Sequence, residues 1–317
     1  MPPYRSFYHL TSVQRRWPKM PTWFYLVIIL VLAWLCSLAS GICGIILDLL
    51  LSSFTGQAET FPANSSATGL ALTLVFYFLP TFFLIAGVLR LMEKRGLVSV
   101  GMRRTGAISN YLRGVVLGLL LFGSTVLGLW GLGYVRLESS IQWASIAGSF
   151  LVLLGWMIQG AAEEVLTRGF LLQIFGRMSN SFVAIAVSSV FFAVLHVGGQ
   201  GFHFLPFFNL ILFSVFAALF TLYERGLWGI FAIHSIWNWA QGNLFGLQVS
   251  GYEIKSAVIF DFQEVGPDWI TGGQYGPEGG LMVTIVFLIA TLWVAAAYWK
   301  RLHPKVKVHQ SDRREHG

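Results

Sequence analysis

Long apolar runs broken by short polar clusters dominate the chain. A membrane-crossing helix needs about 20 mostly apolar residues. Eight stretches meet that length, roughly 23–47, 70–92, 112–134, 147–173, 181–199, 204–223, 227–247 and 281–299. The pattern predicts an all-α membrane protein, a polytopic bundle of about eight transmembrane helices. The first run follows about 21 polar and basic residues and continues to Leu51. It therefore reads as an uncleaved span rather than a secretory leader. The division expected is a cytoplasmic basic segment at 1–22, a transmembrane domain at 23–299 and a basic tail at 300–317.

The polar clusters between the runs carry an orientation. Arg5, Arg15, Arg16 and Lys19 precede the first run, and Lys300, Arg301, Lys305, Lys307, Arg313 and Arg314 follow the last. Arg90, Lys94, Arg95, Arg103, Arg104 and Arg113 surround the connection after the second, Arg177 follows the fourth, and Arg225 the sixth. The alternate connections hold only Arg136 and Lys255. Basic residues favour the cytoplasmic side, so both termini are expected there, in a cell membrane. The connection at about 248–280 is acidic and glycine-rich and reads as a solvated loop on the opposite side.

Composition supports the membrane reading. Of 317 residues, 56% are hydrophobic and 11% charged, and the mean hydropathy is +0.68. Soluble domains carry about 25% charged residues. An ordinary cytosolic enzyme, a disordered regulator and a nucleic-acid binder are excluded. The net charge of +7 is assigned to a rim facing anionic lipid. Cys36 and Cys43, about 10 Å apart along a helix, are too distant for a disulfide.

Ionisable groups inside spans are expensive and mark function by default. Span four holds Glu163, Glu164 and Arg168; span five His196; span seven His234 and Asn238. Glu164 and Arg168 stand at i, i+4 and can neutralise each other. Glu163 is rotated by about 100° and has no such local partner. Glu163 and His196 each lie about 16 residues from the turn at Ser179-Asn180, so both reach around 20 Å in depth. His234, nine residues beyond Arg225, comes to about 13 Å on the same rise. One cavity lined by Glu163, His196, His234 and Asn238 allows two chemistries. Glu163, His196 and His234 can hold Zn²⁺ with an open position for water. Alternatively, Glu163 and one of the two histidines polarise a water while the other histidine and Asn238 hold an oxyanion. The HExxH zinc signature is absent.

Asn209 reads as interhelical glue, Asp48 and His203 as interface residues and Pro80 as a kink. His9, His303, His309 and His316 read as solvated.

The ordered set Glu163-Glu164-Val165-Leu166-Thr167-Arg168, Phe192 to His196 and His234 to Asn238 resembles the CPBP family of intramembrane proteases. That family includes the type II CAAX prenyl endopeptidases and bacteriocin-processing relatives. Gly169, Tyr223-Glu224-Arg225-Gly226-Leu227-Trp228 and Val100-Gly101-Met102-Arg103-Arg104 have the same texture. The resemblance covers about 97–240, within a protease core at about 97–247. It implies an endopeptidase acting on a peptide or membrane-protein substrate, prenylated in part of the family. Glu163 would be the catalytic carboxylate, aided by His196. His234 and Asn238 would hold the oxyanion or a metal, with Glu164 and Arg168 in support. Members are described as both metallo- and glutamate-type proteases, so zinc stays open. Outside the resemblance, the same buried cluster would also serve a proton-coupled transporter or a membrane scaffold.

Overall fold

The computed structural model describes residues 15–55, 66–139 and 141–303. The segment before Arg15 and the tail after His303, with their basic residues, lie outside the described residues.

Helix α1 (Thr22–Thr55) pairs with α2 (Ala67–Glu93), which runs unbroken through Pro80. Ser66 caps α2 by accepting a hydrogen bond from the Gly69 N–H at 3.0 Å. A 3₁₀ turn at Leu97–Val100 leads into α3 (Ala107–Gly131). Then comes one continuous helical rod, α4 (Ser145–Glu164), a π-helical stretch at Val165–Leu171, and α5 (Leu172–Met178). Asn180 caps α6 (Ser181–Gln200), which turns back antiparallel. Helices α7 (Phe204–Glu224) and α8 (Trp228–Trp239) follow, and α8 also ends in a π stretch, Ala240–Leu244. The last long helix is α10 (Leu281–Leu302), after the short α9 (Asp268–Thr271). Two three-residue strands, β1 (Val135–Leu137) and β2 (Phe262–Glu264), pair antiparallel, with Val135 opposite Glu264.

The protein is an all-α polytopic membrane protein. Among the described residues, six helices are long and apolar enough to cross a membrane. The two remaining expected spans differ in kind. The apolar part of α6 is the shorter Ser181–Val197. The 227–247 run is α-helical for only 12 residues, and every residue from Gly229 to Asn243 is buried. Its hydrophobicity serves the protein interior rather than lipid, as expected of an apolar helix this short. Asp48, expected as a lipid-edge or interhelix residue, is the latter: it is buried and accepts a hydrogen bond from Thr73 Oγ1 of α2 at 3.3 Å.

Helix α8 is the axis of the bundle, packed between α3 and α4. Glycine makes both contacts close, the usual device where lipid offers no hydrophobic drive between helices. A Cβ on Gly114 of α3 would lie 2.3 Å from the Gly229 carbonyl oxygen, and one on Gly160 of α4 would lie 2.7 Å from Ser235 Oγ. A Cβ on Gly123 of α3 would meet nothing within 4 Å. Gly114→Val is therefore expected to destabilise the fold by about 1–3 kcal/mol or more. Gly123→Val should cost nothing, since the site is open and Val is the better helix former of the two. Thermal unfolding in detergent compares them, and equal melting temperatures would refute the close α3–α8 contact.

The 248–280 connection is not the solvated loop its composition suggests. Thr271, Tyr275, Gly276 and Pro277 are buried, and Ser250, Tyr252, Ile254 and Glu278 line the central cavity. Its many glycines permit this close packing. Gly276 has φ +80°, and a Cβ there would lie 2.1 Å from the Gln248 carbonyl oxygen.

Candidate active site

The close α4–α8 contact sets Glu163 and Glu164 against His234, and the turn at Ser179-Asn180 brings α6 and His196 alongside. Glu163 Oε2 lies 3.9 Å from His196 Nε2 and 3.7 Å from His234 Nε2. The three expected residues thus converge although depth counting set His234 lower. That counting assumed both connections lie at one level, which helices of unequal length need not obey.

Each imidazole is held through its other nitrogen. His196 Nδ1 is 2.9 Å from the Phe192 carbonyl oxygen, and His234 Nδ1 is 2.9 Å from Glu164 Oε1. Both oxygens only accept, so Nδ1–H donates and the neutral ring leaves a lone pair on Nε2. Two lone pairs therefore face one carboxylate oxygen. Glu163 Oε2 is buried and accepts no hydrogen bond among the described residues.

Glu163 does have a local partner, contrary to expectation. Gln159, one turn earlier on α4, donates from Nε2 to Glu163 Oε1 at 2.7 Å. Asn238 Nδ2 in turn donates to Gln159 Oε1 at 2.9 Å. Gln159 thereby ties Asn238 to the carboxylate. Its signal in the sequence was a lone amide four residues before Glu163, on the same helix face.

Glu164 and Arg168 form the expected i, i+4 pair at 3.0 Å, with both side chains fully buried. Arg168 also donates to Thr167 Oγ1 at 2.7 Å, Ser214 Oγ at 2.7 Å and the Ser214 carbonyl at 3.2 Å. Its guanidinium lies 4.9 Å from the Phe192 ring centre. Glu164 is thus both the counter-ion of Arg168 and the anchor of His234. The π stretch begins directly after Glu164, and a second one directly after Trp239. Such expanded turns recur at functional sites.

The cavity, of ≈ 290 Å³, holds all four expected residues and also Gln159 and Glu278. Ser37, Ser40 and Tyr77 place α1 and α2 in its wall. Asn209, expected as glue, donates to the carbonyls of Glu278 and Gly280 at 2.8 and 3.0 Å and accepts from Thr284 Oγ1.

The donor types suit zinc, but the spacing is wide. A tetrahedral shell with bonds of about 2.0–2.1 Å sets its donors about 3.4 Å apart, against 3.7 and 3.9 Å here. Among the described residues no group of three or more His, Cys, Asp or Glu forms a metal-ligand arrangement.

A polytopic helical membrane protein with a Glu/His/Asn cluster facing a buried cavity is what the fold and site define. Residues 142–240 match the family model for type II CAAX prenyl endopeptidase Rce1-like proteins, in agreement with the resemblance of the motifs to the CPBP family. No curated protein and no solved structure matches the chain. The match spans Glu163, Glu164, Arg168, His196, His234 and Asn238, and leaves α1 to α3, the 248–280 connection and α10 outside it.

Proposed function

We propose that the protein is an intramembrane endopeptidase that hydrolyses a peptide bond of a membrane-associated or prenylated substrate through a water activated by Glu163 and His196. The observation that carries this reading is the convergence of two fixed imidazole lone pairs on the unpartnered Glu163 oxygen. A gap of 3.7–3.9 Å is too long for a direct hydrogen bond. A water oxygen within about 2.8 Å of each side spans it.

Glu163 Oε2 takes a proton from that water while His196 Nε2 accepts its other hydrogen bond, and the oxygen attacks the scissile carbonyl carbon. The oxyanion forms beside Asn238, because His234 Nε2 carries a lone pair and does not donate to it. An amide carries two N–H donors; Asn238 spends one on Gln159 and has the second for the oxyanion. Glu163 then delivers its proton to the leaving nitrogen as the C–N bond breaks, giving an amine and a carboxylic acid, whose remaining proton passes to His196 Nε2 to leave the carboxylate. Gln159 holds the carboxylate in place throughout. Because Glu163 Oε2 stands farther from both Nε2 atoms than two ligands of one zinc ion do, each step is assigned to the chain's own groups.

The test is cleavage of a quenched-fluorescence peptide library by protein purified in mild detergent, with zinc content measured in parallel. Cleavage that survives a chelator is expected, with substoichiometric zinc. Chelator-sensitive cleavage with one zinc per chain, lost in a His196→Ala, His234→Ala double variant, would replace the water-only mechanism by a metalloprotease one. Absence of any cleavage would sink the protease reading.

A further inference from the structure

The cavity contains a second carboxylate that the mechanism leaves unused. Glu278 lies outside the family segment, in a 3₁₀ turn at Pro277–Gly279 just before α10. Its backbone is pinned by the two carbonyl contacts to Asn209, and Gly280 packs so closely that a Cβ would lie 2.1 Å from the Ile270 carbonyl oxygen. Its side chain is held as firmly. Oε1 accepts from Trp237 Nε1 at 3.2 Å, and Oε2 accepts from the Ser250 N–H at 2.7 Å and from Ser250 Oγ at 2.8 Å. All three donors are neutral. A carboxylate has about four lone-pair positions, so acceptor capacity remains.

The charge balance around it is one-sided. Glu163 and Glu278 line the cavity, and among the described residues no Lys or Arg does. Among the described residues Glu278 forms no ion pair. Lys255, the one cation of its connection, instead pairs with Glu253 at 3.3 Å on the exposed surface. A carboxylate withdrawn into a mostly apolar cavity without a cation attracts one more strongly than it would in water. Trp237 precedes Asn238 on α8, so its bond to Glu278 fixes the distance between this carboxylate and the hydrolytic groups.

We propose that Glu278 forms a subsite for an ammonium or guanidinium group, which selects substrates carrying that cation at a fixed position relative to the scissile bond. The proposal rests on the protease reading above. Its chemistry is shared by a Lys or Arg side chain and by a free peptide amino terminus.

The test uses apolar decapeptides carrying one Lys, Arg, norleucine or Glu scanned through the sequence, each with a free or acetylated amino terminus. Wild type is expected to cleave a Lys or Arg peptide at least about tenfold better in kcat/KM than its norleucine counterpart, at one position only. Glu278→Gln, whose single carbonyl oxygen can serve the two Ser250 donors while Trp237 Nε1–H loses its acceptor, should erase that ratio at only a modest cost in melting temperature. Glu278→Lys should shift the preference to the Glu peptide. A ratio that follows acetylation instead assigns the subsite to the amino terminus.

Anisotropy of the same peptides, fluorescein-labelled on a cysteine, on Glu163→Gln protein reads the subsite without cleavage. Tighter binding of the cationic peptides there, lost with Glu278→Gln added, upholds the subsite even where no peptide is cut, and then only the protease reading falls. Cleavage that depends on Glu163 but shows the same Lys to norleucine ratio in wild type and Glu278→Gln overturns the subsite and leaves the protease standing.

Discussion

Glu163→Gln is expected to lower peptide cleavage by about 10³-fold or more while leaving the protein at least as stable as wild type. The activity side follows from the chemistry. An amide cannot take the proton of the attacking water, and a positioned general base contributes about 10²–10⁴-fold. The stability side follows from the geometry. Gln159 Nε2 still finds an acceptor oxygen at position 163. The buried Oε2, which accepts nothing and faces two imidazole lone pairs, is replaced by an amide nitrogen that can donate to them. Relief of an arrangement kept for function commonly raises stability. The measurements are kcat/KM on the best library peptide and the melting temperature in the same detergent. Cleavage within tenfold of wild type would remove Glu163 from the mechanism. A melting temperature several degrees lower would mean that the carboxylate is chiefly structural. Loss of a pH-dependent ion flux, with no peptidase activity in either protein, would favour a transporter built on the same cluster.

What the sequence made legible was whatever helical spacing and polarity express. Glu164 and Arg168 pair because residues four apart share a helix face. His196 meets Glu163 because Asn180 starts a new helix and sends it back antiparallel. Three features left no such trace. The π stretches after Glu164 and Trp239 depend on tertiary contacts, and nothing in Val165–Leu171 or Ala240–Leu244 departs from ordinary helix composition. The central place of α8 was hidden because a helix buried in protein and one buried in lipid are both apolar, and only the burial of Gly229 to Asn243 in the fold separates them. The 248–280 connection looked solvated because its acids and glycines are typical of loops. The same glycines allow close backbone packing, and Glu278 is turned inward by the donors Trp237 and Ser250.

Arg168→Met should have the largest effect on stability of any single change near the site, about 3–5 kcal/mol. Both side chains of the Arg168–Glu164 pair are fully buried. Removing the guanidinium leaves Glu164 as a buried anion, with only His234 Nδ1–H as a recorded partner, and strips Ser214 and Thr167 of their donor. The expected result is low yield and a collapsed melting temperature. Burial of an ion pair is costly in itself, so replacing both members by apolar groups of similar volume is often neutral. Glu164→Leu combined with Arg168→Met should therefore recover most of the lost stability. It should not recover activity, because the His234 ring would have lost the acceptor that fixes its Nδ1–H. A loss of about 10–100-fold, the scale of removing a group that orients an active-site histidine, is expected in the double variant. Wild-type activity in that double variant would show that His234 needs no anchor. A single Arg168→Met variant as stable as wild type would show that the pair does not hold the helices together.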